Sequence, residues 1–306
     1  MLCSAQFSLD RLAPAPNSSM TTHSASQALP SLFLSHGSPM TALEGRETGR
    51  FWRQLGLSMD ALHGRPRAIL SISAHTTARQ PLLLAATRHA ALYDFGGFDP
   101  RLRSLRYDVP GAPALAEELV ALAAKSGLNL RALPQGGLDH GSWVPLRALY
   151  PDADVPVLPL AFVPEQSPQE QYALGQALQV MSEQGVLVIG SGSLTHNLSL
   201  LFASEQMPAI DAAEQPASAA FRDWWAQRSS ARDWSALLDY RQQAPHAVAM
   251  HPTDEHLLPW YVAAGVGGRF HAPQRIHSAL TYGCLAMDAY AFGPLASRLA
   301  AHLREH

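Results

Sequence analysis

The 306 residues are 47% hydrophobic and 15% charged, a globular composition with material for one large α/β domain or two small ones. A formal charge of −3 gives no electrostatic drive toward nucleic acid or an anionic membrane. Two cysteines, Cys3 and Cys284, cannot build a disulfide framework or a thiolate zinc site. No apolar run reaches the ~18 residues of a membrane span, so a reducing, cytoplasmic setting is expected.

Residues 1–30 are rich in Ser, Ala, Pro and Thr and lack the compact apolar stretch of a secretory signal. They read as a poorly ordered extension, with 31–306 as a single domain. From Leu32 onward apolar strands alternate with amphipathic helices. Leu32–Leu34, Arg67–Ser73, Val155–Phe162 and Val186–Ile189 read as buried strands. Pro113 opens a helix over Ala114–Lys125, stopped by Gly127. Ser167-Pro168 opens another through Met181, stopped by Gly185. The region from Ser204 to His246 carries Trp224, Trp225 and Trp234, expected on helices. Gly283–Phe292 reads as a late strand and Pro294–His302 as a terminal helix. The fold class is α/β: a largely parallel central sheet flanked by helices.

The placement of the 14 histidines carries the chemistry. His36 (SLFLSHGSPM), His75 (ILSISAHT) and His196 (VLVIGSGSLTHN) each follow a strand in a short polar turn. In open parallel sheets ligands bind at the carboxyl ends of the strands, so these residues should converge on one crevice. A lone histidine after a strand is usually a cap or a satisfied polar residue; three in equivalent positions suggest a site, and imidazole ligates iron and zinc alike. His251 and His256 lie in HPTDEH, where Thr253 or Asp254 would cap a helix with His256 in its first turn. His140 lies in a Gly-flanked turn before another helix. His277 could line the crevice, whereas His63, His89, His302 and His306 sit in polar, surface-like contexts. GSGS at Gly190–Ser193 lacks the third glycine of a dinucleotide loop and the lysine of a P-loop, and reads as backbone in close approach near His196. No GxSxG elbow supports a serine hydrolase.

With these residues assembled, the sequence resembles the extradiol ring-opening dioxygenases of the protocatechuate-dioxygenase B-subunit class, in their 4,5-DOPA dioxygenase branch. The resemblance rests on LSHGSPM (34–40), SISAHT (71–76), YDFGGFDP (93–100), GLDHGSWVPL (137–146), GSGSLTHNL (190–198) and HPTDEHLLPWYVAAG (251–265), in that order. It implies one divalent metal bound by His36, His75 and a third ligand from 251–256. His256 is favoured, with His251 the alternative and Asp254 and Glu255 the nearby carboxylates. Fe(II) is expected for turnover, and Zn(II) can occupy such a site in purified protein. By the same resemblance His196 is the acid–base residue, and His140 holds substrate or oxygen. Tyr93, Phe95 and Phe98, around a Gly-Gly hinge, would either cover the aromatic ring or anchor a turn in the core. The implied partners are dioxygen and a small aromatic, a DOPA-like or caffeate-like catechol. Three imidazoles and a water would also make a zinc hydrolase, and the fold without chemistry would be a binding protein.

Overall fold

The runs SLFLS, AILSIS, VLPLA and VLVIGSG contain no charged residue, and each forms a strand buried along its whole length. In a computed structural model, which describes residues 28–125, 127–202 and 207–305, they are the four middle strands of an eight-stranded sheet. In chain order the strands are β1 (Ser31–Ser35), β2 (Ala68–Ser73), β3 (Leu82–Leu84), β4 (Arg131–Leu133), β5 (Val157–Ala161), β6 (Val186–Gly192), β7 (Gln274–His277) and β8 (Ala289–Phe292). Across the sheet they run β4-β3-β5-β2-β6-β1-β8-β7. The central four, β5-β2-β6-β1, are mutually parallel. β3 is antiparallel to β5 and parallel to β4, while β8 and β7 add antiparallel edges at the other side.

Alternate residues of the central strands point to opposite faces. Phe33, Leu70, Ile72, Leu158 and Val188 join one core; Leu32, Leu34, Ile69, Val157 and Leu187 join the other. The first core is closed by α2 (Pro113–Lys125), α4 (Pro168–Ala177), α5 (Pro216–Ala231) and α6 (Leu258–Gly267). The second is closed by α1 (Arg46–His63), α3 (His140–Leu149) and α7 (Ala296–Glu305). Burial between two helical layers explains why the parallel strands are apolar throughout rather than alternating.

Local chemistry corrects several boundaries. The expected helix from Pro168 to Met181 breaks at Leu178 into α4 and a short turn over Gln179–Glu183. Its start is a capping box between Ser167 and Glu170. The late strand splits into Leu285–Ala286 and β8, because Asp288 turns inward between them to meet Arg222 and Arg275. No helix is capped by Thr253 or Asp254: α6 starts at Leu258, with Pro259 in its first turn. The Asp254 carboxylate accepts instead from Tyr240 Oη at 2.6 Å and from Arg241. His89 is not a surface residue; it is buried, and its Nδ1 accepts from the Gly137 amide at 3.1 Å. Residues 1–27 of the expected extension lie outside the described residues, while Leu29 is buried and its amide donates to the Ser182 carbonyl. No described helix is long and apolar enough to cross a membrane.

Candidate active site

β2, β6 and β1 are parallel neighbours, so their C-terminal ends share one rim of the sheet. His36 follows β1 directly, and its amide donates to the carbonyl of Gly192, the last residue of β6. His75 lies two residues past β2 and His196 four past β6. His256 approaches from the entry to α6. The contact is close because Gly192 has no side chain: a Cβ there would lie 1.9 Å from the His256 carbonyl oxygen, and one on Gly190 2.2 Å from that of Pro259. This is the role of the GSGS segment, which lets β6 lie against the 256–259 backbone. His140 is the first residue of α3, behind an Asp139 N-cap that accepts from the Ser142 amide. Asp139 also accepts from Ser73 Oγ at 2.6 Å and from Thr76 Oγ1, which pins α3 to the end of β2.

The imidazoles form one cluster. Ring centroids lie 5.0 Å apart for His36–His75, 4.9 Å for His75–His256, 5.5 Å for His36–His256 and 4.1 Å for His75–His140. His196 stacks on His256 at 3.4 Å, nearly parallel. Among the described residues two groups hold ligand atoms within 4.8 Å of one another: His36, His75 and His140, and His196, Glu255 and His256.

Hydrogen bonds set the tautomers. Ser191 Oγ donates to the Gly141 carbonyl at 2.5 Å, so at 3.1 Å it must accept from His36 Nδ1. His36 Nε2 then carries a lone pair, which faces His75 Nε2 at 3.1 Å. His140 Nδ1 donates to Asp94 Oδ2 and His256 Nδ1 to Glu255 Oε1, each at 3.0 Å. His256 Nε2 is buried without a hydrogen-bond partner. Burial, reinforced by the neighbouring imidazoles, lowers the pKa of His36 and His256 well below the ordinary value. His75 is lowered by burial and by His140, and burial pushes His196 down to about 4. Asp94 is lowered as well: burial would raise it, and the hydrogen bonds from His140 more than offset this. His36 and His256 are thus neutral imidazoles with Nδ1 tied off and Nε2 left with a free lone pair, donors suited to a divalent cation.

The histidines floor a cavity of about 360 Å³ whose other walls include Phe95, Phe98, Leu198, Leu201, Phe202 and Tyr282. Tyr93 is not a wall residue. It lies behind Phe95, packs on Trp143 and donates to the Leu105 carbonyl. His251 is also outside the cavity: it is buried against Phe221 and Tyr240, with Nε2 donating to the Leu194 carbonyl at 2.9 Å. His277 stacks on Phe51 and bonds Thr48, away from the cavity. Sequence reasoning missed Ser191, Asp94 and Glu255 as partners of the histidines. Asp94 lies 46 positions before His140, a pairing that no local spacing reveals.

Aromatic walls over imidazoles at the C-terminal rim of a parallel sheet frame a cavity suited to a metal and a small aromatic, and comparison with known proteins fixes the class. Residues 30–293 match the family described as the catalytic LigB subunit of aromatic ring-opening dioxygenase, and the chain belongs to that family. It is 35% identical over 265 residues to a protein named 4,5-DOPA dioxygenase extradiol from Beta vulgaris, covering 85% of this chain and 95% of that one. It is 30% identical over 263 residues to the protein of the same name from Mirabilis jalapa, covering 86% and 96%. A crystal structure of an uncharacterized protein, JW3007, from Escherichia coli K12 superposes with a TM-score of 0.70 at 27% identity, covering 87% of this chain and all of that one. The chain is an extradiol ring-cleavage dioxygenase, as the resemblance implied.

Proposed function

We propose that this chain cleaves the ring of a catechol-type aromatic with dioxygen, using one divalent metal held by His36, His75 and His256. The observation that carries this reading is the convergence of the His36, His75 and His256 rings within 5.5 Å of one another, with Nδ1 of His36 and His256 committed elsewhere and His256 Nε2 buried without a partner. Fe(II), when bound, would acidify the catechol hydroxyls and relay electrons from the ring to dioxygen. Zn(II) would fit the same imidazoles without that redox capacity.

The remaining steps belong to the chain. His196 is neutral at pH 7 and faces the cavity from the stack on His256, so it can take a proton from a catechol hydroxyl and return it later. Asp94 holds His140 by both its amide and its Nδ1, which orients the ring. His140 can therefore hold an oxygen of the substrate through Nε2. Phe95 stands edge-on to His140 at 5.6 Å and to Phe98 at 5.8 Å, forming an aromatic wall that excludes water from the ring. Relatives named for DOPA make substituted catechols the first substrates to assay.

The test is anaerobic reconstitution with Fe(II), followed by oxygen uptake and the yellow semialdehyde absorbance across a catechol panel, DOPA and caffeate included. Loaded protein that is inert toward every catechol and hydrolyses esters or amides would remove the reading.

A further inference from the structure

The cavity has a polar floor and an apolar mouth. Eight large hydrophobic side chains are exposed among the described residues, and four of them, Phe98, Leu198, Phe202 and Met207, line this one cavity. Phe202 is 68% exposed and Met207 51%, which is unusual for side chains with no assigned partner. Clustered exposed apolar surface at the rim of a cavity marks what the cavity receives. The charges around the floor have one sign. Asp94 stands behind His140, Asp139 caps the same helix, and Glu255 stands behind His256. No Lys or Arg lines the cavity among the described residues. Arg46, in an adjoining cleft, is engaged by Glu44.

A catechol seated with its hydroxyls toward the histidines directs its substituent toward Leu198, Leu201, Phe202 and Met207. A carboxylate at that end would lose hydration with no Lys or Arg among the described lining residues to receive it, whereas an alkyl or aryl group would replace water against apolar side chains. We infer that the natural substrate is a catechol bearing an uncharged, apolar substituent, and that Leu198, Leu201, Phe202 and Met207 select it. This departs from the DOPA-like or caffeate-like substrate implied by the sequence resemblance, and it rests on the ring-cleavage reading above.

A matched pair tests it: 4-propylcatechol and 3-(3,4-dihydroxyphenyl)propionate share a chain length and differ in a terminal methyl or carboxylate. Binding to Fe(II)-loaded protein without oxygen, by calorimetry, and kcat/KM with oxygen should both favour the propyl compound by about tenfold or more. Phe202→Lys places a cation at the exposed mouth and should reduce that ratio about tenfold. An equal or reversed preference in the parent overturns the inference, as does an unchanged ratio in a Phe202→Lys protein with parental metal content. If unsubstituted catechol is cleaved while neither partner of the pair binds, the inference alone fails. If no catechol is bound or consumed, the ring-cleavage reading fails and takes the inference with it.

Discussion

His196 and His36 sit on one rim, yet their surroundings differ. His36 is buried, and its Nδ1 is committed to Ser191, which fixes the direction of Nε2. His196 is half-buried and held mainly by its stack on His256. A ligand requires a fixed lone pair, and a proton carrier requires access to substrate, so the two should fail differently on truncation. His196→Ala is expected to lower turnover by about 10²-fold or more while keeping most of the bound metal. His36→Ala should lose metal and activity together. Metal stoichiometry beside oxygen uptake separates them; equal metal loss would make His196 a ligand. A second consequence concerns acid. Burial lowers His251 from 6.5 to about 4 in the folded protein. Between those values the unfolded chain binds more protons than the folded one, so stability is retained above pH 6.5 and lost as pH falls toward 4. That one residue is worth roughly 3 kcal/mol at most. His36, His256 and His277 are lowered too and push in the same direction. Urea midpoints of metal-free protein should therefore drop steeply between pH 6.5 and 4.5, and a flat profile would contradict this protonation scheme.

The elements divide by how much of their chemistry is local. The central strands were readable because burial on both faces leaves uninterrupted apolar runs, and the histidines after β1, β2 and β6 inherit their position from those runs. β3, β4 and β7 were not readable: they are short, partly exposed, and formed by pairing with distant neighbours. The entry to α6 was misread because Asp254, a good cap by type, is taken by Tyr240 and Arg241, more than ten positions earlier. Tyr93 looked like a companion of Phe95 in sequence, but its hydroxyl is drawn to the Leu105 carbonyl behind the wall. The α4–α6 crossing was equally invisible. Gly175 and Gly265 meet there backbone to backbone, and a Cβ on Gly175 would lie 2.0 Å from the Val262 carbonyl oxygen. Since α6 carries His256 at its entry, this crossing helps set the depth of the site. Gly175→Ala should cost about 1–3 kcal/mol or more by overpacking. Gly49→Ala, in α1 with nothing within 4 Å of its Cβ, should instead gain about 0.5–1 kcal/mol from helix propensity. Urea midpoints at pH 7 read both, and a neutral Gly175→Ala would mean the helices separate more easily than their packing implies.

At the scale of the whole molecule, the site is a junction of distant parts of the chain. Residues 36, 75, 140, 196 and 256 come from three strand ends, the start of α3 and the approach to α6, so the cluster exists only when the sheet and both helical layers are assembled. In the metal-free protein the junction is unfavourable: the imidazoles crowd one another, the His36 Nε2 lone pair has only His75 Nε2 beside it, and the lone pair of the buried His256 Nε2 has no partner. A divalent cation would satisfy those lone pairs in the folded chain and find no comparable arrangement in the unfolded one. Metal should then stabilise by linkage, by about 2.7 kcal/mol at a free concentration one hundred times Kd. For a domain of this size that corresponds to a rise in Tm of about 4–5 °C. The measurement is thermal unfolding of chelator-treated protein with and without added Fe(II) under nitrogen, or Zn(II) in air, beside His36→Ala and His277→Ala. The parent and His277→Ala should show the shift, because His277 packs on Phe51 outside the cavity. His36→Ala should lose most of it. A shift of equal size in His36→Ala would place the metal elsewhere on the molecule, and no shift in the parent would mean that the cluster is held by its hydrogen bonds alone.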